Sequence, residues 1–468
     1  MRPAAGILLA GILAAGCAST GGAGEGRPDV LLLLSDDQRP DTIAALGNPA
    51  IHTPNLDALA RSGTSFERAF VPNPLCIPSR AELLTGSSGF RNGILPGFSD
   101  RLDSAHPTWP AAMRAAGYRT GYAGKWHTQG KPRDRGYEES PGFYMGSRGP
   151  HPPTRDLLGR EITGYRGWMF QTEDGRTFPE KGSGVSEATD VHIADAAIGF
   201  LRSADPRPFF LQVNFTSPHD PLMPPARHRA RYDPARIALP PDFLPEHPFD
   251  HGNAGGRDEK LLPSPRSERD VREELALYYA TVSHLDEQVG RILEALRASG
   301  RAQRTIVIFS SDHGLAVGSH GLRGKQNMYE HTVGVPLVVS GPGIPRGARR
   351  RAQVYLRELF PTVCELAGVP VPPGVEGRSF AGVLRGGPDR HHEAVFGYFN
   401  DAQRMIRTDG WKLIRYPRIG RVQLFRLSDD PFELRDLSAD PAHAATRDAL
   451  AARLESWQLE VRDPLLRR

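Results

Sequence analysis

Apolar residues recur along the chain in two rhythms. Uninterrupted runs at 30–34, 209–215, 305–309 and 335–340 predict strands buried on both faces of a mostly parallel sheet. A shorter run at 118–122 predicts another. Between them, apolar positions at helical spacing predict helices at 53–60, 109–116, 190–202 and 356–367. The longest, 273–298, carries Leu275, Tyr279, Val282, Leu285, Val289, Ile292 and Leu296 along one face. Near Glu393 the rhythm changes. Short runs at 394–398, 403–407, 411–416 and 423–426, with Asp409-Gly410 as a turn, predict an antiparallel sheet, and 441–461 predicts a terminal helix. The expected fold class is α/β, with a large mostly parallel or mixed sheet sandwiched by helices. A smaller C-terminal α+β subdomain with an antiparallel sheet follows it. The expected division is a catalytic domain at 29–390 and the subdomain at 391–468.

Two stretches lack a period. Residues 131–184 are rich in Gly, Pro, Arg and aromatics; so long an irregular insertion is usually functional, and it is expected at a substrate rim. The proline-rich 240–265 is expected to be a surface loop.

Composition adds limits. A chain of 468 residues exceeds one compact core, and 39% hydrophobic content with 50 Gly and 42 Pro describes a loop-rich globular protein. The net charge of +4 comes from scattered Lys and Arg, with no nucleic-acid motif or basic-aromatic stripe, so no nucleic-acid partner is expected. At the N-terminus Arg2 precedes an apolar run at 4–15, too short to span a bilayer and typical of a signal-peptide core. Leu13-Ala14-Ala15-Gly16-Cys17 resembles a bacterial lipobox, with Cys17 as the lipidated residue; plain cleavage is the alternative. Residues 1–17 are thus expected to be a signal peptide and 18–28 a flexible tether. The protein is expected to be exported, as a periplasmic or cell-envelope lipoprotein. Cys364 falls on an apolar helical face, which leaves Cys76 without a disulfide partner.

Polar groups gather where the predicted strands end, the place where open α/β sheets collect their chemistry. The first strand ends in Ser35-Asp36-Asp37-Gln38; adjacent carboxylates repel unless a cation lies between them, although Asp also caps turns. Gly124-Lys125-Trp126-His127 puts an ammonium and an imidazole on one side of an extended chain. Two prolines hold His219 in Ser217-Pro218-His219-Asp220-Pro221, and another strand ends in Ser310-Ser311-Asp312-His313-Gly314. A parallel sheet brings such ends to one edge, where three carboxylates and an imidazole form a hard site suited to Ca²⁺ or Mg²⁺. In Cys76-Ile77-Pro78-Ser79-Arg80, Pro78 suits a first helical position. That puts Cys76 just before a helix N-terminus and Arg80 one turn in, with Thr85-Gly86 as the stop.

Cys-x-Pro-Ser-Arg followed by a short helix and Thr-Gly resembles the signature of the type I, formylglycine-dependent sulfatases of the alkaline phosphatase superfamily. The run Thr53-Pro54-Asn55-Leu56-Asp57-Ala58-Leu59-Ala60, the Gly-Lys-Trp-His and Asp-His-Gly motifs, Gly324-Lys325 and the closing Ser428-Asp429-Asp430-Pro431 are similar to that family too. The resemblance implies an alkaline phosphatase-like fold and conversion of Cys76 to formylglycine by a maturation enzyme. It implies Ca²⁺, with Mg²⁺ possible, held by Asp36, Asp37, Asp312, His313 and the modified Cys76. It further implies that Arg80 favours an ionised hydroxyl at position 76, that Lys125 and Lys325 hold sulfate oxygens, that His219 with Lys325 protonates the leaving oxygen, and that His127 takes a proton from the second hydroxyl. The implied substrate is a sulfated saccharide or another sulfate ester. A phosphate or phosphonate monoester hydrolase of the same superfamily and a catalytically dead carbohydrate-binding lipoprotein are the rival readings.

Overall fold

The structure is a computed structural model that describes residues 26–147, 150 and 154–467. The signal-peptide and Cys17 expectations lie outside the described residues. Strand β1 (Asp29–Ser35) is followed by α1 (Pro54–Ser62), β2 (Thr64–Phe70) and α2 (Cys76–Thr85). Then come α3 (Trp109–Ala115), β3 (Arg119–Lys125), β4 (Phe143–Gly146) and β5 (Trp168–Phe170). Next are α4 (Thr189–Leu201), β6 (Phe209–Asn214), α5 (Glu268–Ala298), β7 (Thr305–Ser311) and β8 (Gly334–Ser340). Edge strand β9 (Ala348–Arg350) and α6 (Leu359–Leu366) close this part.

These strands form one mixed sheet in the order β9-β2-β8-β7-β1-β6-β3-β4-β5. Its centre is parallel: β1 pairs with β6 and β7, and β3 with β6 and β4, all in the same direction. Antiparallel β8 joins β7 to β2. Alternate side chains of β1 show why its run reads as unbroken. Val30, Leu32 and Leu34 pack with α2, α3 and α6, whereas Leu31 and Leu33 pack with α1, α4 and α5 on the other face. Each such buried side chain contributes about 1.5–3 kcal/mol, so both helical layers are held to the sheet. Helix α5 starts at a capping box between Ser267 and Asp270, earlier than its apolar face alone indicates.

A separate antiparallel sheet follows, β10 (Ala394–Phe399), β11 (Gln403–Thr408), β12 (Lys412–Tyr416) and β13 (Arg421–Phe425), covered by α7 (Ala444–Glu460) through Leu450 and Leu454.

Two expectations change. The aperiodic 131–184 supplies β4 and β5, which extend the main sheet as a parallel and then an antiparallel strand. Residues 240–265 are not merely a surface loop. Asp242, His251, Asp258 and Glu259 are buried, because the Glu259 carboxylate accepts the Arg323 and Gly324 N–H groups at 2.9 and 2.8 Å.

Candidate active site

Parallel pairing fixes where the site must be. The carboxyl ends of β1, β3, β6 and β7 share one edge, and their ends are tied together: Asp36 N–H donates to Ser217 O at 3.0 Å, and Asp312 N–H to Ser35 O at 3.2 Å. Helix α2 points its start at this edge. It begins at Cys76 itself, two residues before the expected start, and Pro78 is its third residue. The earlier start has no cost, because the first N–H groups of a helix lack intrahelical partners and Pro78 still falls among them. Gly86, in the left-handed region at φ 65°, ends the helix.

The predicted residues converge on one sulfur. Cys76 Sγ lies 3.5 Å from Asp36 Oδ1, 3.3 Å from His313 Nε2 and 3.4 Å from Lys325 Nζ. Lys325 also donates to Asp37 at 2.8 and 3.0 Å, and Lys125 to Asp36 Oδ2 at 2.6 Å. Arg80, one turn after Cys76, donates Nε to Asp312 Oδ2 at 2.9 Å and Nη2 to Asp36 Oδ1 at 3.3 Å. Asp37 takes a left-handed φ of 66°, and its N–H donates to Asp312 Oδ1 at 3.1 Å. His219 Nε2 is 3.8 Å from Asp37 Oδ2. His127 stands beside the cluster, its ring edge-to-face with Trp168, and its Nδ1 has no hydrogen-bond partner among the described residues.

Backbone carbonyls set the tautomers. Nδ1 of His313 faces Gly314 O at 3.0 Å and Nδ1 of His219 faces Asp220 O at 2.6 Å. Each Nδ1 is therefore the donor, and each Nε2 is turned to the carboxylates.

Burial governs the protonation of the cluster. Burial pushes the Cys76 thiol up, but Lys125 and Lys325 more than offset it, so the thiol is more acidic than usual. Burial opposes the Asp36 charge too, yet Lys125, His219 and Arg80 hold it well below the carboxylate range. Burial raises Asp37 against the pull of His219 and Lys325. Lys325 is held well above its ordinary value against burial, chiefly by Asp37. His127 is pushed well down by burial and by Lys125, which leaves a neutral imidazole able to accept a proton.

The donor set suits a hard divalent cation. One donor atom each from Asp36, Asp37, Cys76 and His313 all lie within 4.8 Å of one another. A cation with bonds of about 2.3–2.6 Å spans donors up to about 5 Å apart. The Asp312 carboxylate adjoins this group, 3.8 Å from His313 Nε2.

Other residues of the site escaped sequence reasoning. Tyr165, from the aperiodic 131–184, donates its phenol to Asp36 Oδ2 and sets its ring 4.8 Å from His219. Its φ of 56° is a left-handed conformation rare for an aromatic residue, and no local pattern announces it. Asp220 was visible beside His219 but given no role. It binds Arg257 at 2.5 Å, and the fully enclosed Arg323 bridges Asp220 at 3.5 Å to Glu274 of α5 at 2.7 Å. Arg323, two residues before Lys325, thereby ties the Lys325 loop to α5 and to the His219 loop.

Comparison with known proteins agrees with this geometry. The family model "Sulfatase" matches residues 28–369, and the model "N-sulphoglucosamine sulphohydrolase, C-terminal" matches 318–460. A choline-sulfatase of Rhizobium meliloti (strain 1021) is 29% identical over 471 residues, covering 94% of this chain and 89% of its own. The solved structure of BT4656 with its substrate D-glucosamine-2-N,6-O-disulfate superposes with a TM-score of 0.75 at 25% identity, covering 93% and 98% of the two chains. The phosphonate monoester hydrolase of Agrobacterium radiobacter shares the fold, with a TM-score of 0.76 at 24% identity over 93% and 96% of the chains. With most of its length matched by the family model and its motifs assembled at one sheet edge, the chain belongs to the sulfatase family, whose members hydrolyse sulfate esters.

Proposed function

We propose that this protein is a formylglycine-dependent sulfatase that removes sulfate from a sulfated saccharide. The observation that carries the reading is the position of Cys76 at the start of α2, within 3.5 Å of Asp36, His313 and Lys325. The thiol marks where the side chain of the modified residue would stand. Formylglycine there would supply, as its hydrate, two hydroxyls where a thiol has none. A Ca²⁺ or Mg²⁺ held by Asp36, Asp37, Asp312 and His313 would add positive charge facing a sulfate oxygen.

The chain's own residues do the rest. Asp36, Asp37 and Asp312 are matched by Arg80, Lys125 and Lys325, so the bare cluster is near neutral. With a divalent cation held there the cluster would carry net positive charge and suit a sulfate monoanion. Lys125 and Lys325 hold sulfate oxygens as charge develops; a single such donor is typically worth about 10²–10³ in rate. His219 and Lys325 stand beside Asp37, where the leaving oxygen needs a proton. His127, neutral and with a free ring nitrogen, accepts one on return. Tyr165 and Lys125 share Asp36 Oδ2 and fix that carboxylate. Cys76 is only 3% exposed, so a maturation enzyme must reach it before the chain folds. That order suits an exported protein modified ahead of folding, and the lipobox-like Cys17 would then anchor it at the cell envelope.

Sugar specificity would reside in loops of the 131–184 stretch, from which Tyr165 reaches the cluster. BT4656, with its glucosamine disulfate substrate, supports the saccharide reading. The fold alone does not separate sulfate from phosphonate esters, since a phosphonate monoester hydrolase shares it. Turnover of an aryl sulfate beside the matching aryl phosphate and phosphonate does. The reading predicts the sulfate as the best substrate, and a screen of sulfated saccharides then finds the natural class. Preference for the phosphonate would replace the reading with the rival hydrolase, and no turnover at all with the non-catalytic one.

A further inference from the structure

A second group of metal-binding side chains lies outside the Cys76 cluster. Asp242, from the 240–265 segment, meets His320 and His331, which flank the loop carrying Lys325. All three are enclosed, with 6, 7 and 7% exposure. One donor atom from each lies within 4.8 Å of the others. Asp242 Oδ2 is 3.3 Å from His320 Nε2 and 3.6 Å from His331 Nδ1. Nevertheless, among the described residues His320 Nε2 has no hydrogen-bond partner, and neither does the far nitrogen of His331. Buried polar atoms without partners are rare and need a cause.

The distances suggest one. An imidazole N–H bonded to a carboxylate wants about 2.9 Å. Nitrogen and oxygen donors bound to one tetrahedral zinc-like ion, at about 2.0–2.2 Å each, stand about 3.4 Å apart. The observed pairs fall on the side of the ion. Two other clusters give the contrast. His392 and His391 approach Glu358 at 2.8 and 3.1 Å, and His228 approaches Glu287 at 2.6 Å beside Arg227. Those contacts have hydrogen-bond lengths and need no ion; His228 and His284 also leave Nδ1 unpartnered among the described residues, so the contrast lies in the distances.

The surroundings fix the ligands as a metal site requires. Ser319 Oγ donates to the other Asp242 oxygen at 2.9 Å and accepts from Arg39 Nη1 at 3.1 Å. His320 N–H donates to Asp242 O at 2.7 Å, and its ring stacks on Tyr329 at 3.8 Å. Arg39 is paired with Asp41 at 2.9 and 3.0 Å, which offsets part of its charge near the site.

We propose that Asp242, His320 and His331 form a second metal site, for a borderline transition ion of the zinc type. With two imidazoles to one carboxylate the set is richer in nitrogen than the three carboxylates and one imidazole of the catalytic cluster, and it favours such an ion over Ca²⁺, which prefers oxygen ligands. The site joins the 240–265 segment to both sides of the Lys325 loop, and a bound ion holds that loop in place from behind the catalytic cluster.

The test is a Co²⁺ titration of the full chain, with the catalytic site first saturated with Ca²⁺. The expected result is one tightly held cobalt per chain, with the intense visible absorption of low-coordinate Co²⁺ and a raised thermal midpoint. His320→Gln and Asp242→Asn lose that cobalt, its spectrum and the thermal shift, whereas His391→Gln and His228→Gln keep all three. Ser319→Ala keeps the ligands and the fold, and should weaken cobalt binding by about 10–100-fold. Weak six-coordinate cobalt in the wild type, cobalt unaffected by His320→Gln, or loss in His391→Gln instead would each overturn the proposal.

Discussion

Two buried clusters of charge differ in what they leave over. In the C-terminal part, Arg404 of β11 and Asp463, just beyond α7, are fully enclosed. Arg404 gives Nε and Nη2 to the two Asp463 oxygens at 2.6 and 2.9 Å, and Nη1 to the carbonyls of Asn400 and Gln403. Every nitrogen of the guanidinium has a partner. The Cys76 cluster is as deeply buried, but among the described residues Arg80 Nη1 and His127 Nδ1 have no partner, and three polar groups converge on one sulfur. Burial of charge alone therefore does not mark a reaction site. What sets the Cys76 cluster apart is that its polar groups converge on one side chain at the carboxyl edge of the sheet, where an arriving anion can take them up.

That contrast can be broken by substitution, and the largest effect on turnover belongs to the nucleophile position. Cys76→Ala should lower kcat at least about 10⁴-fold with only a small change in thermal midpoint, since Lys325 keeps Asp37 and only His313 Nε2 loses its hydrogen-bond partner. Removing the cation with a chelator should abolish turnover, and Ca²⁺ or Mg²⁺ should restore it; Asp312→Asn should raise the concentration needed. Lys325→Ala should cost about 10²–10⁴-fold on a sugar sulfate, and less on an activated aryl sulfate whose leaving group needs no proton. Equal losses on both substrates would assign Lys325 to sulfate binding alone. Tyr165→Phe removes one hydrogen bond to Asp36 and should cost about tenfold in kcat/KM.

The C-terminal pair should give the opposite pattern. Arg404→Met strands a buried carboxylate and should destabilise the fold by about 3–5 kcal/mol in urea unfolding, with kcat per folded molecule unchanged. Adding Asp463→Leu should recover most of that loss, because two apolar groups replace a satisfied pair without leaving a charge behind. A fall in kcat for Arg404→Met would remove the distinction between the two clusters.

What the sequence disclosed follows the same physics. Strands buried on both faces write continuous apolar runs, so β1, β6, β7 and β8 were legible, and the polar residues directly after the first three had to meet at one edge. Asp36, Asp37, His219, Asp312 and His313 were placed at that edge in this way, and Lys125 by the shorter run that became β3. Tyr165 was not, because it reaches Asp36 through a left-handed backbone turn in a segment with no period. Arg323 was hidden for another reason. A lone arginine reads as surface, and only the folded chain encloses it between Asp220 and Glu274. The start of α2 at Cys76 was misplaced by two residues because a proline tolerated anywhere in a first turn was read as its first position.

The central claim is that the side chain at position 76 acts as an aldehyde hydrate rather than a thiol. The direct measurement is peptide mass spectrometry across residues 73–80, on protein made with and without a formylglycine-generating enzyme, alongside aryl sulfate turnover of the same samples. The account predicts an aldehyde at position 76 in the active sample, with turnover proportional to the converted fraction. Full turnover from protein that carries only the Cys76 thiol would contradict it.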